Sequence, residues 1–161
     1  MLFDYFPTTY FKLDNDKSVI VTDFIRAIKL DPQLKENSLL YTLYEASDGE
    51  TPEIISHKFY KSTEYHWVIM LLNEKFDPWR DFPQSDSVIV AAAMEKYDNI
   101  NGIHHYEDGN GNVVDEFYPL AAYVTNLDYE RRVNESKRTV KVLKKQVLSD
   151  FVDQYRTLIS R

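Results

Sequence analysis

The chain has 161 residues, 43% of them hydrophobic and 28% charged, with a net charge of −7, four glycines and no cysteine. That length suits one domain, or a small core with extensions, and it is enough to bury a core without covalent staples. Disulfide frameworks, thiolate zinc sites and thiol nucleophiles are excluded, and Gly49, Gly102, Gly109 and Gly111 cannot compose a dinucleotide fingerprint, a P-loop or a nucleophile elbow.

Phe3, Tyr5, Phe6, Tyr10 and Phe11 crowd the start without a clear period, and Asp14-Asn15-Asp16-Lys17 reads as a turn. Thr22-Asp23 suits the cap of a short helix through Leu30, while Val19-Ile20-Val21 reads equally well as a strand; Asp31-Pro32 interrupts whichever forms. An aromatic-rich start of this kind fits a segment that docks on something, and it fits disorder as well. Leu39 to Tyr44 is rich in strand formers, bounded by Asn37-Ser38 and Ser47-Asp48-Gly49. Pro52 then takes a first helical position behind Thr51 as N-cap, and Ile54, Ile55 and Phe59 make an apolar stripe with the Lys58 stem beside it. After Ser62-Thr63, a second helix from Tyr65 to Asn73 is apolar nearly all round and must be buried, with Asn73 as its C-cap.

Phe76 to Pro83 is an aromatic and proline segment without regular structure, and Ser85-Asp86 starts a helix to about Tyr97. Ile103 to Glu107 and Val113 to Phe117 flank Asp108-Gly109-Asn110-Gly111-Asn112 as a β-hairpin. Tyr129 to Asn134 extends a short helix, and Arg138 to Val142 alternates like a strand. Val147, Leu148, Phe151, Val152, Tyr155, Leu158 and Ile159 mark the cleanest amphipathic helix, whose stripe needs either this core or a partner chain as its cover.

The longest apolar run, Trp67 to Leu72, is far short of the roughly 20 residues that span a bilayer. Met1-Leu2-Phe3-Asp4 has no basic region and no apolar signal core behind it, so a soluble, unexported chain with no membrane partner is expected. Charge divides along the chain, with −4 over 1–60, −9 over 61–130 and +6 over 131–161. Seven bases lie in one stretch: Arg131, Arg132, Lys137, Arg138, Lys141, Lys144 and Lys145. Such a cluster suits a solvated face, an acidic protein surface or phosphates. The −13 on the rest of the chain opposes a phosphate backbone, and no nucleic-acid partner is expected.

Asp108-x-Asn110-x-Asn112 has the spacing of half a calcium loop, but Val113 and Pro119 stand where the loop's glycine and bidentate glutamate belong, so it reads as a hairpin turn. His57 and His66 fall on different helices, and His104 and His105 are strand neighbours expected to point oppositely. Glu50, Glu53, Asp77 and Asp81 offer carboxylate pairs of the kind sugar hydrolysis uses, but with 26 acids in the chain a chance pair is certain, and caps and solvation explain them better. No catalytic, metal or cofactor-binding residue and no small-molecule substrate is expected.

Gly49-Glu50-Thr51-Pro52-Glu53-Ile54-Ile55-Ser56-His57-Lys58-Phe59-Tyr60, followed by Trp67-Val68-Ile69-Met70-Leu71-Leu72-Asn73, resembles a LysM module: a G-D-T-like turn, a first helix ending in an aromatic, and a second closing in Asn. The usual glycine after the tyrosine is Lys61, and the usual second strand soon after Asn73 is absent; the strand at 138–143, or the hairpin, is expected to supply the pairing instead. The continuation Asn73-Glu74-Lys75-Phe76-Asp77-Pro78-Trp79-Arg80-Asp81-Phe82-Pro83 resembles the gene 53 family of baseplate wedge proteins in T-even-type contractile phages.

The resemblance implies an α+β fold: a small LysM-like strand-helix-helix core (39–83), a helix and β-hairpin (84–125), and docking segments at 1–38 and at the C-terminal strand and helix (126–161). It implies a non-enzymatic structural subunit, placed in the virion's tail baseplate and assembled in the host cytoplasm. Its partners would be the other wedge subunits and the sheath-initiator end of the tail. Interface residues are expected at Phe3, Tyr5, Phe6, Trp79, Phe82 and the basic stretch Arg131, Arg132, Lys137, Arg138, Lys141, Lys144 and Lys145. A LysM-type module binding peptidoglycan or another glycan is the alternative.

Overall fold

The computed structural model describes residues 6–13, 17–23, 30 and 32–160. In chain order the elements are β1 (Thr8–Lys12), β2 (Ser18–Thr22), α1 (Pro32–Glu36), β3 (Tyr41–Glu45), α2 (Pro52–Tyr60), α3 (His66–Leu72), α4 (Asp86–Lys96), β4 (Ile103–Glu107), β5 (Val113–Val114), β6 (Ala122–Thr125), α5 (Asn126–Glu135), β7 (Thr139–Leu143) and α6 (Lys145–Ile159). Helices mix with small sheets, as expected of an α+β chain. The chain divides into two compact units, one built from Met1–Tyr44, Pro52–Phe76 and Val140–Arg161, the other from Glu45–Thr51 and Asp77–Thr139. Each unit gathers stretches far apart in sequence.

In the first unit, β3 pairs with β7 across about a hundred residues of chain. The pairing runs antiparallel: Lys144 N–H donates to Leu40 O beyond one end, and beyond the other, where both stretches of chain belong to the second unit, Ala46 N–H donates to Arg138 O, both at 2.9 Å. Of the two partners expected for the first strand of the core, the 138–143 strand is therefore the one used. Between them in sequence, α2 and α3 turn their apolar faces inward, burying Ile55, Tyr60, Trp67, Val68, Ile69 and Leu72, while β7 buries Val140 and Val142 on alternate positions. Asn73 ties the helices to the strand. Its amide donates to Ile69 O and to Lys141 O, and its Oδ1 accepts from Lys141 N–H, all at 2.8 Å. One side chain thus satisfies both backbone groups of Lys141 as a neighbouring strand would.

The end of α3 is a Schellman motif, with Glu74 N–H on Leu71 O and Lys75 N–H on Met70 O, and Glu74 at φ 54° in the left-handed region. Lys61, just beyond α2, has φ 62°. A lysine there bears the Cβ clash that glycine avoids. Lys61→Gly is expected to stabilise the chain by about 0.5–1 kcal/mol, measured as a rise in urea midpoint.

The stripe of α6 has its cover inside the subunit: Leu148, Phe151, Val152, Tyr155 and Ile159 are buried, and Trp67 of α3 lies 4.7 Å from the Tyr155 ring and 6.2 Å from Phe151. Of the two covers open to that helix, this core is the one it takes. The remaining element pair of the first unit, β1 and β2, is an antiparallel hairpin running from Thr8 opposite Thr22 to Lys12 opposite Ser18. The helix expected through Leu30 falls largely on 24–29, outside the described residues.

The second unit holds a three-stranded antiparallel sheet in the order β5-β4-β6, with α4 and α5. The expected hairpin turn forms: Asp108 Oδ1 accepts from Asn110 and Asn112 N–H at 2.8 and 2.9 Å, its Oδ2 accepts from the Asn112 amide at 3.0 Å, and Gly111 supplies φ 81°. The third strand, β6, was not expected. Nor was the early start of α5, where Thr125 caps Asp128 N–H at 3.1 Å and donates its hydroxyl to the Asp128 carboxylate. Asn134 is buried against extended backbone: its Oδ1 accepts from Gln84 N–H at 2.8 Å and its amide donates to Gln84 O at 3.2 Å.

Candidate protein–protein interface

The β1–β2 hairpin shows apolar side chains on both faces. Paired residues share a face, so Tyr10 and Ile20 form one row and Phe11 with Val19 and Val21 the other. Tyr10 is 77% exposed and Ile20 64%, and Phe11, Val19 and Val21 are exposed too. An isolated two-stranded hairpin is marginal in water unless something covers a face. Ser18-Val19-Ile20-Val21-Thr22 carries no charge or proline to guard an edge. Phe6, just before β1, is half-buried; Phe3 and Tyr5 lie outside the described residues.

In the second unit, a tight loop presents Trp79. Asp77 accepts from Trp79 and Arg80 N–H at 2.8 and 3.0 Å, Asp81 accepts from Asp77 N–H at 2.8 Å, and the Gln84 amide donates to Trp79 O at 2.6 Å. The backbone is held at every step, yet the indole is 67% exposed. Phe82, in the same loop and also expected at an interface, is 0% exposed and enclosed within the subunit. An irregular segment between Pro78 and Pro83 has no periodicity to tell which aromatic faces inward.

The basic stretch divides the same way. Arg131 grips Asp86 through Nε and Nη2 at 2.7 and 3.0 Å, and Arg132 donates to Glu107 at 2.6 Å. Arg138 donates to Ala46 O at 2.8 Å, to Asp48 at 2.7 Å and to Glu135 at 2.7 and 2.8 Å. These arginines hold loops and helices of the second unit together. In the first unit, Lys141 is half-buried, donates to Lys35 O at 2.9 Å and lies 4.9 Å from the Tyr41 ring centre. Lys137 is half-buried, and Lys144 and Lys145 are exposed.

The pairs depress carboxyl pKa values. The Arg131 hydrogen bond lowers Asp86, those from Arg132 and then His105 lower Glu107, and that from Arg138 lowers Glu135. Burial pushes Glu130 upward, but the bonds from Lys96 and Tyr97 outweigh it. A depressed carboxyl binds its proton less tightly folded than unfolded. Its contribution is therefore complete above the unfolded value, near 4, and is lost as pH falls through the folded one. The denaturant midpoint is expected to stay level from pH 7 to about 5 and to fall below about 4, and Arg132→Met should flatten part of that fall.

The histidines depart from expectation. A bulge between Ile103 and His105 breaks the strict alternation of β4, so His104 and His105 do not point apart. Their Nδ1 atoms lie 2.7 Å from each other, His104 stacks on Tyr129 at 3.9 Å, and His105 Nε2 meets Glu107 at 2.9 Å. Among the described residues, no three His, Asp or Glu converge as a metal set. Three of the four carboxylates considered for sugar chemistry close turns: Glu50 accepts from Ser47 N–H at 2.9 Å, and Asp77 and Asp81 fix the Trp79 loop, while Glu53 lies in the first turn of α2.

Comparison with known proteins follows the same lines. A family model described as base plate wedge protein 53 matches residues 1–129. The baseplate wedge protein gp53 of Enterobacteria phage T4 is 28% identical over 134 residues, covering 78% of this chain and 66% of that protein. The chain thus spans just under two thirds of the length of this curated relative. The family match takes in the hairpin, α2, α3 and the Trp79 loop, and ends before β7 and α6.

Proposed function

Because the chain belongs to the base plate wedge protein 53 family, we propose that it is a structural subunit of a phage tail baseplate wedge, joining its neighbours by adhesion rather than catalysis. The observation that carries this reading is the hairpin of β1 and β2, apolar and exposed on both faces, within the stretch that matches the family. Surfaces of that kind are stable in water only when a partner buries them, and obligate interfaces resemble a domain core cut in half.

On this reading, the β3–α2–α3–β7 arrangement is a LysM-like scaffold, supported by the antiparallel pairing of β3 with β7 around the two helices. It positions the docking parts instead of reading sugar. Phe3, Tyr5, Phe6, the hairpin, Trp79, Lys144 and Lys145 face other wedge subunits and the sheath-initiator end of the tail. Arg131, Arg132 and Arg138 act mainly within the subunit, and Phe82 leaves the interface set.

Co-expression with the other wedge subunits of the same phage tests the proposal. The chain is expected to co-elute with at least one of them in size-exclusion chromatography and to stay in the supernatant over insoluble peptidoglycan. A monomer that ignores every wedge subunit but sediments with peptidoglycan would reverse the reading.

A further inference from the structure

The sheet of the second unit turns one face toward α5. Pleat parity places His105, Glu107, Val113 and Val124 on the α5 side, where Glu107 meets Arg132 and Val124 is buried. Val114, Tyr106 and Tyr123 stand side by side on the opposite face, Tyr123 exposed and the other two half-buried. The β5–β6 connection adds more apolar surface. Asp115 organises it, its carboxyl accepting from Phe117 N–H and its carbonyl from Tyr118 N–H, both at 3.0 Å. Leu120 is held at φ 64°, a conformation leucine rarely adopts. The loop turns Phe117 and Leu120 to water, 86% and 95% exposed.

Charge specifies what would cover them. From Tyr97 to Glu130 there is no Lys or Arg, while Asp115 and Glu116 directly precede Phe117. We propose that the 115–121 loop, with the exposed Tyr123 ring beside it in β6, forms a docking surface for a neighbouring subunit that presents an apolar pocket rimmed by Lys and Arg. The proposal rests on the baseplate reading for the neighbour's identity and adds the surface and its chemistry.

The full chain is titrated against each wedge subunit of its own phage, purified singly, beside the variants Phe117→Ser/Leu120→Ser and Glu116→Lys. All three positions are exposed, so both variants keep the wild-type melting temperature. The apolar pair is expected to weaken binding of one subunit about 30-fold or more, and the lysine variant to weaken it and reduce its salt sensitivity. Wild-type affinity in both variants overturns the docking surface while leaving the baseplate reading intact. Failure of the wild-type chain to bind any wedge subunit overturns both. Self-association in sedimentation velocity that the same variants abolish replaces the proposed neighbour by a second copy.

Discussion

Replacing Phe82 by alanine is expected to destabilise the chain by about 3–5 kcal/mol, while Trp79→Ala should leave the folding free energy within about 0.5 kcal/mol of wild type. The two aromatics sit in one short loop and differ only in which way they face. Phe82 is wholly enclosed, so truncation leaves a cavity the surrounding side chains cannot fully close. The Trp79 indole makes little use of its own subunit, because Asp77, Asp81 and Gln84 hold the loop through backbone groups that alanine retains. On the proposed reading, with Trp79 docking on a neighbouring subunit, the order reverses in assembly: a buried tryptophan anchor is worth about 2 kcal/mol or more to an interface, so Trp79→Ala should weaken wedge binding about 30-fold. Denaturant melts beside co-elution with wedge subunits separate the two effects.

Trp67→Ala should destabilise the first unit by about 3–5 kcal/mol. Its ring lies against Tyr155 and Phe151 and is nearly all buried, joining α3 to α6. Tilted aromatic contacts of this kind add about 0.5–1.5 kcal/mol beyond area burial. Trp67→Phe, which keeps part of the volume, should recover much of the loss. Protease cleavage near the C-terminus of Trp67→Ala, with α6 released before the rest unfolds, would show that this ring is what holds the helix.

The middle of the chain was legible because its signals are local. Thr51-Pro52 starts α2, the all-apolar Trp67 to Leu72 demands burial, and Asp108-Gly109-Asn110-Gly111 spells its own turn. The pairing of β3 with β7 was one of two expected, the other being the hairpin, because the LysM resemblance calls for a second strand that is missing soon after Asn73. The hairpin at 8–22 resisted reading for a physical reason. Alternation announces a strand when one face is dry and the other wet, and here Tyr10 and Phe11 are both apolar and both exposed. The short strand β6 is fixed by pairing with β4, a tertiary effect that Ala121-Ala122-Tyr123-Val124 does not advertise. The cap of α5 did have a signal, Thr125-x-x-Asp128, whereas the bulge that brings His104 and His105 together had none. The expected interface set mixed exposed residues with an enclosed one because aromatic content alone does not say which rings face water.

Amide hydrogen–deuterium exchange across residues 8–22, in the free chain and in the assembled wedge, bears most directly on the claim that this subunit acts by burying its N-terminal hairpin in a neighbour. Fast exchange in the free chain and strong slowing in the wedge is the predicted result. Equal exchange in the two states, with the chain fully incorporated, would contradict it.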